Sequence, residues 1–110
     1  AIMPGVGISF GALASGKSQL PHIRLAAQKN CISTGTGEAM RSGSVYGTAA
    51  MLDGMIERIE EELGQKATVV ATGGIARFIL PMCRRKIIYD RNLLLKGLVI
   101  LYENNRRDNR

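Results

Sequence analysis

The sequence is poor in several residue types that specialised proteins need. Its 110 residues include no tryptophan, 5% aromatic residues, two cysteines and one histidine. With so few aromatic rings, the core must be mainly aliphatic, and few rings are left to stack on the bases of single-stranded nucleic acid. Cys31 and Cys83 offer neither a disulfide framework nor metal-ligand spacing, so we expect a reduced, cytoplasmic setting. No apolar run approaches a membrane span and no signal-sequence pattern opens the chain, so we expect no membrane partner.

Positive charge is the main excess. The formal net charge is +6, and much of it lies in two late groups: Arg77, Arg84, Arg85, Lys86 and Arg91, then Arg106, Arg107 and Arg110. A basic face can bind nucleic acid or nucleotide phosphate. The simpler interpretation is a solvated surface, so we do not expect nucleic acid as a partner.

The stretch from residue 67 to residue 76, Ala-Thr-Val-Val-Ala-Thr-Gly-Gly-Ile-Ala, is typical of a buried strand that ends in a glycine turn before a helix. Gly73 and Gly74 permit positive φ and lack Cβ atoms, so a flat ligand could lie against the backbone after Thr72. The N–H groups of the following helix start would point to the same place. On this motif alone, a turn that merely requires glycine is the simpler interpretation.

A long amphipathic helix is predicted after residue 35. Thr36 fits an N-cap and Glu38 a favourable position in the first turn, while Gly64 is a natural stop. Gly43 and Gly47, four residues apart, permit the close approach of another element. One apolar stripe runs along this helix with spacings of three and four residues: Val45, Ala49, Leu52, Ile56, Ile59 and Leu63.

The remaining pattern alternates helices and strands. We predict helices over about residues 8–18, 75–80 and 93–105, the last capped by Asn92, and a strand over residues 86–89. Within residues 22–32, the apolar segment His22–Ala26 fits an edge strand or an extended loop, and residues 106–110 fit a charged, disordered tail. This order indicates an α/β fold in which helices cover a sheet, with residues 1–105 forming one domain or part of a larger one.

The string Gly11-Ala-Leu-Ala-Ser-Gly-Lys-Ser18 matches the phosphate-loop pattern letter for letter. A true phosphate loop follows a buried strand, and its Lys-Ser pair opens a long helix. Here Pro21 stands where that helix should be established. We interpret the match as coincidental, and a nucleotidase using Lys17 as the weakest functional hypothesis.

Six segments in order resemble the C-terminal half of type III pantothenate kinases, a family that includes Bvg accessory factors. They are Ala1-Ile-Met-Pro-Gly5, Gly37-Glu-Ala-Met-Arg-Ser-Gly43, Tyr46-Gly47, Asp53-Gly-Met-Ile-Glu-Arg58, Ala71-Thr-Gly-Gly74, and Leu95-Lys-Gly-Leu98 with Leu101-Tyr-Glu-Asn104. The resemblance implies a ribonuclease-H-like fold of the acetate kinase, sugar kinase and actin superfamily. The chain would be an incomplete second domain of that fold.

The resemblance also implies a function. Members phosphorylate pantothenate with ATP, the first step of coenzyme A synthesis, assisted by Mg²⁺ and a monovalent cation (K⁺ or NH4⁺). The resemblance further implies a dimer in which pantothenate binds near the subunit interface. The matched positions imply adenosine contacts at Thr72, Gly73 and Gly74, and a dimer-interface helix carrying Gly43, Tyr46 and Gly47. Pantothenate contacts are implied at Thr36 and, near the cleft, at Ile2, Pro4 and Gly5.

The chain departs from the family pattern in three ways. Ser33-Thr-Gly-Thr-Gly37 stands where the family has Gly-Lys-Asn-Thr-Val, and Arg84-Arg-Lys86 replaces a mixed or acidic stretch. The family's upstream motifs Asp-x-Gly-Asn-Thr, Gly-x-Asp-Arg and Asp-x-Gly-Thr-Ala are absent, and with them the general base and the metal carboxylates. We therefore expect no catalysis by this chain alone, and a homodimer or assembly with the N-terminal half. The alternative is a non-catalytic regulatory or interaction protein.

Overall fold

The computed structural model describes residues 1–5, 30–74 and 76–108. Helices and short parallel strands alternate along the chain, as the sequence predicted for an α/β protein. The elements are α1 (Thr36–Leu63), β1 (Val70–Ala71), α2 (Ala76–Ile79), a 3-10 turn (Leu80–Met82), β2 (Ile88–Tyr89) and α3 (Leu93–Asp108). The helix predicted over residues 8–18, the phosphate-loop-like string and most of residues 22–32 lie outside the described residues.

Helix α1 has 28 residues and is the longest element. Its N-cap is Gly35, whose backbone is extended (φ −82°, ψ 145°) and whose carbonyl accepts the N–H of Ala39 at 2.9 Å. The prediction that Thr36 is the N-cap was wrong by one residue, because Thr36 is itself already helical. The predicted stop is confirmed: Gly64 adopts φ 72°, and its N–H bonds the carbonyl of Glu60 at 2.9 Å.

The described core lies where α1 meets α2 and the 3-10 turn. Val45 and Ala49 of α1 pack with Ile79 of α2, each no more than 2% exposed. Leu52, Met82 and Cys83 surround them, partly buried. The apolar stripe predicted on α1 is therefore buried in its first half, whereas Ile59 and Leu63 remain exposed. The core formed by the described residues is small and aliphatic.

Two carboxylates of α1 hold the segments that lead into the strands. Asp53 accepts the backbone N–H groups of Arg84 at 2.8 Å and Arg85 at 3.0 Å. Glu60 accepts the N–H of Ala67 at 2.8 Å and also binds the guanidinium of Arg85. Asp53 and Glu60 are seven residues apart, which places them on the same side of the helix. Helix α1 thus anchors the chain shortly before β1 and shortly before β2.

The two strands pair in parallel, with Val70 opposite Ile88 and Ala71 opposite Tyr89. Their ladder includes bonds from Ile88 N–H to the Val69 carbonyl and from Asp90 N–H to the Ala71 carbonyl, both 2.9 Å. Both strands are shorter than predicted, because among the described residues each has a pairing partner on one side only. Their direction and register nevertheless place the ends of both strands at one edge.

Helix α3 is longer than the helix predicted over residues 93–105, and α2 is shorter than the helix predicted over residues 75–80. Helix α3 continues through Asp108, so the predicted disorder was wrong for residues 106–108. Arg106 and Arg107 lie in its last turn, where positive charge interacts favourably with the negative end of the helix dipole. Helix α2 is a single turn, and Pro81 lies inside the 3-10 turn that follows it. Among the described helices, none has the length and apolar character to cross a membrane.

We predict that Val45→Ala lowers the free energy of unfolding by about 2 kcal/mol, because it removes two buried carbons from the centre of the core. Urea unfolding followed by circular dichroism measures this change. Ile32→Ala is the control, since Ile32 is 90% exposed. An equal loss in both variants would contradict the described core.

We also predict acid destabilisation through Glu60. The hydrogen bond from Ala67 N–H, and then the Arg85 guanidinium, lower the pKa of Glu60. A carboxyl group whose folded-state pKa is lowered stabilises the fold above its unfolded-state pKa, and this contribution is lost as the pH falls through the folded value. Unfolding free energies measured from pH 6 to pH 3 should therefore decline, and less steeply in Glu60→Gln.

Glu62→Gln is the matched control for Glu60→Gln, because the Glu62 side chain is exposed and makes no described hydrogen bond. It should keep the pH dependence of the unaltered chain. Identical pH profiles for the two variants would show that Glu60 does not anchor the strands.

Candidate functional site

The carboxyl ends of the strands form the first candidate site. Because β1 and β2 are parallel and in register, the turn Thr72–Gly74 and Asp90 follow the two strands at the same edge. Ligands of open α/β sheets bind outside this edge. All three residues of the turn are exposed. The predicted adenosine contacts Thr72, Gly73 and Gly74 are therefore accessible to a ligand at the carboxyl ends of the strands.

The turn has a conformation that depends on glycine at one position. Gly73 has φ 113°, where residues with a Cβ are strained. The Gly73 carbonyl accepts a hydrogen bond from the Tyr89 hydroxyl at 2.8 Å. A Cβ added at Gly73 or Gly74 would meet nothing within 4 Å. The requirement at Gly73 is therefore one of backbone conformation, and open space lies over both residues.

Asp90 is a polar residue of this edge that sequence reasoning missed. Its carboxylate accepts the N–H of Asn92 at 3.0 Å and the Lys96 ammonium at 2.7 Å. These two bonds, Lys96 first, lower the pKa of Asp90. The side chain that satisfies a backbone donor at the start of α3 is thus that of Asp90. An aspartate directly after a strand, six residues before a lysine, was the signal in the sequence.

The second candidate site is a groove along the first half of α1. Pro4 helps to line a cavity of about 360 Å³ there. The helix contributes Ala39, Met40, Gly43, Ser44, Gly47, Thr48 and Met51. An added Cβ at Gly43 or Gly47 would meet nothing within 4 Å. The close approach that these glycines permit is therefore not made by the described residues.

The other residues predicted for substrate contact are only partly brought to this groove. Thr36 is the first residue of α1. Thr36, Met40, Gly43 and Gly47 are spaced by four, three and four residues, so Thr36 shares their helix face. Ile2 is fully exposed, and Gly5 is exposed beside Pro4. Of the four residues predicted for substrate contact, Pro4 alone lines this cavity, and Thr36 lies on the same helix face one turn before Met40.

The basic run Arg84-Arg-Lys86 lies at the opposite edge of the sheet, before β2. It borders a cavity of about 380 Å³ that Lys66 and Glu60 also line. Glu60 binds the Arg85 side chain, and the nearby carboxylates of Glu57 and Asp53 add to the rise in the pKa of Arg85. The carboxylates of α1 thus compensate the charge of Arg85, whereas Arg84 and Lys86 are exposed.

The cysteines and the metal-ligating residues form no further site in the described part of the chain. Cys31 is exposed, Cys83 is partly buried, and both are free. Burial, and then the Asp53 carboxylate, raise the pKa of the Cys83 thiol, which disfavours the reactive thiolate. Across the described ranges, no group of three or more His, Cys, Asp or Glu side chains could hold a metal ion. Lys17 lies outside these ranges.

Comparison with known proteins adds an independent finding. Residues 1–58 match the family model of type III pantothenate kinase. The type III pantothenate kinase of Acidothermus cellulolyticus is 41% identical over 104 residues, which cover 94% of this chain and 41% of that protein. Those of Exiguobacterium sibiricum (43% identical, covering 96% and 41%) and Solibacter usitatus (39%, covering 94% and 40%) are similar. The chain spans about two fifths of the length of these relatives.

The glycine turn yields a paired prediction. Gly73→Ala should lower the free energy of unfolding by roughly 1–3 kcal/mol, because alanine is strained at φ 113°. Gly74→Ala should leave it unchanged or raise it by roughly 0.4–1 kcal/mol, because the unfolded chain loses freedom and no clash arises. Urea unfolding of both variants measures the difference. Equal effects would show that Gly73 does not need its left-handed conformation.

Proposed function

Because this chain belongs to the type III pantothenate kinase family, we propose that it forms part of an ATP-dependent pantothenate kinase. In this proposal it contributes the turn that binds adenosine and part of the pantothenate pocket. The observation that carries the proposal is the exposed Thr72–Gly74 turn at the carboxyl ends of the parallel strands, where Gly73 and Gly74 place no Cβ between a ligand and the backbone.

The adenosine role is supported by the shape of the turn. Its two glycines present bare backbone, and the space within 4 Å of an added Cβ at each is open. A flat nucleoside can therefore lie in direct contact with the peptide units. Helix α2 is only one turn long, so we assign the recognition to the turn itself.

The pantothenate role is assigned to the groove on α1. Met40, Gly43 and Gly47 line the cavity beside Pro4, and Thr36 lies one turn before Met40 on the same helix face, where it supplies a hydroxyl group. A small, elongated substrate with polar groups fits such a groove, with the hydroxyl as a hydrogen-bond partner. Ile2 and Gly5 belong to the same chain segment as Pro4, and in this proposal they approach the substrate when the pocket is complete.

The assembly proposed here follows from α3. Its large apolar residues are 40–72% exposed, and Leu93, Leu94 and Leu95 point about 100° apart around the helix. A helix that is apolar all round is normally enclosed within a core. We therefore assign residues 1–105 to an incomplete second ribonuclease-H-like domain. Its partner is the N-terminal half of a kinase of this family or a second copy of the chain, and Gly43 and Gly47 suit a dimer interface.

The phosphoryl-transfer chemistry is assigned to groups outside the described residues. The metal ion of such a reaction needs carboxylate ligands, and no metal-ligand cluster occurs in the described ranges. Asp90 already binds Lys96 and the backbone of Asn92, so it is a poor general base. Mg²⁺ and a monovalent cation therefore belong to the proposal for the whole kinase only.

The test is a titration of the chain with ATP, followed by the NMR signals of backbone amides. We expect shifts at Thr72–Gly74, and binding at least tenfold weaker in Gly74→Ala, whose methyl group would occupy the space of the nucleoside. Gly54→Ala is the control, since Gly54 also has open space around it but lies on α1. The chain mixed with ATP and pantothenate should form no phosphopantothenate.

Two results would reject the proposal. One is the absence of any amide shift at the turn with millimolar ATP. The other is phosphorylation of pantothenate by this chain alone, which would mean that the general base and the metal ligands lie within it.

A further inference from the structure

We propose that Tyr89 is a positioning residue for nucleotide binding, because its hydroxyl group orients the Gly73–Gly74 peptide unit. This inference rests on the proposed function and adds a residue that the motif itself does not contain. Tyr89 lies on β2, sixteen residues after Gly73. Its hydroxyl donates to the Gly73 carbonyl at 2.8 Å.

The turn needs such a contact because the strand ladder ends before it. The last described ladder bond runs from Asp90 N–H to the Ala71 carbonyl. Beyond Ala71 the chain continues through Thr72 into two glycines, which have the largest conformational freedom of all residues. Among the described residues, Tyr89 is the one whose side chain forms a hydrogen bond with the backbone of this turn. Tyr89 therefore links the turn to β2 beyond the end of the ladder.

The hydrogen bond also determines which way the next peptide group points. The described chain contains no cis peptide bonds, so the Gly73 carbonyl and the Gly74 N–H point in opposite directions. With the carbonyl directed at Tyr89, the Gly74 N–H is directed away from β2. It can then donate to an acceptor atom of the nucleoside that lies on the glycines. A rotated peptide would present the carbonyl instead and repel such an acceptor.

The expected effect is on binding and not on folding. Tyr89 is 40% exposed, and its strand is held by backbone hydrogen bonds that Phe would keep. Removing the hydroxyl frees the turn in the unbound state, so the nucleotide must order it on binding. The loss of one hydrogen bond of ordinary strength then corresponds to ATP binding that is about three- to tenfold weaker.

The experiment compares Tyr89→Phe with Tyr102→Phe in the full chain. Tyr102 is 66% exposed on α3 and makes no described hydrogen bond. Three quantities are measured: ATP affinity by NMR titration, the exchange rate of the Gly74 amide proton without nucleotide, and the free energy of unfolding. In Tyr89→Phe we expect weaker ATP binding and a changed Gly74 exchange rate, with an unfolding free energy like that of Tyr102→Phe.

The outcomes separate this inference from the function on which it rests. ATP binding by the unaltered chain and equally tight binding by Tyr89→Phe would overturn the role of Tyr89 and leave the adenosine site standing. Loss of folding stability in proportion to the loss of affinity would overturn it in favour of a structural role. Absence of ATP binding by the unaltered chain would reject both proposals.

A double-mutant cycle with Gly73→Ala should show non-additive losses of affinity, because both changes act on one peptide unit.

Discussion

The arrangement of the described residues depends on hydrogen bonds that two carboxylates of one helix accept from the segments that precede the strands. Asp53 holds the backbone of Arg84 and Arg85, and Glu60 holds Ala67 and the side chain of Arg85. A two-residue strand pair is too short to specify its own position. The carboxylates supply that position by tying both strand entrances to a helix of 28 residues.

The consequences appear at the other end of the strands. Once the entrances are aligned, the parallel register brings Ala71 opposite Tyr89, and the glycine turn lies beside Tyr89 and Asp90. The two edges of the sheet then have separate roles. At the entrance edge, Arg85 and the carboxylates of α1 compensate each other. At the exit edge, Gly73 and Gly74 leave the backbone exposed, as the proposed nucleoside site requires.

Apolar surface is distributed unevenly over the described residues. Val45, Ala49 and Ile79 are the centre of a core that is small for the described residues. The first ten residues of α3, by contrast, expose large apolar side chains. Among the described residues, each strand of the sheet has a partner on one side only. Both features fit the proposal that further chain packs against α3 and the sheet, and the chain spans two fifths of its relatives' length.

The sequence by itself determined the elements whose signals are local. The apolar stripe and the glycine stop located α1 to within a residue at each end, and the segments in order identified the family. The sequence also indicated that Gly73 and Gly74 leave the backbone of the turn without Cβ atoms. Sequence periodicity could not show that Ile59 and Leu63 of the α1 stripe stay exposed, that α3 continues through Asp108, or that each strand pairs over two residues. Those features depend on which neighbours are present. The tertiary structure alone placed Asp53, Glu60, Tyr89 and Asp90 at their roles, because each acts through a hydrogen bond whose partner is set by the packing of α1 and the register of the strands.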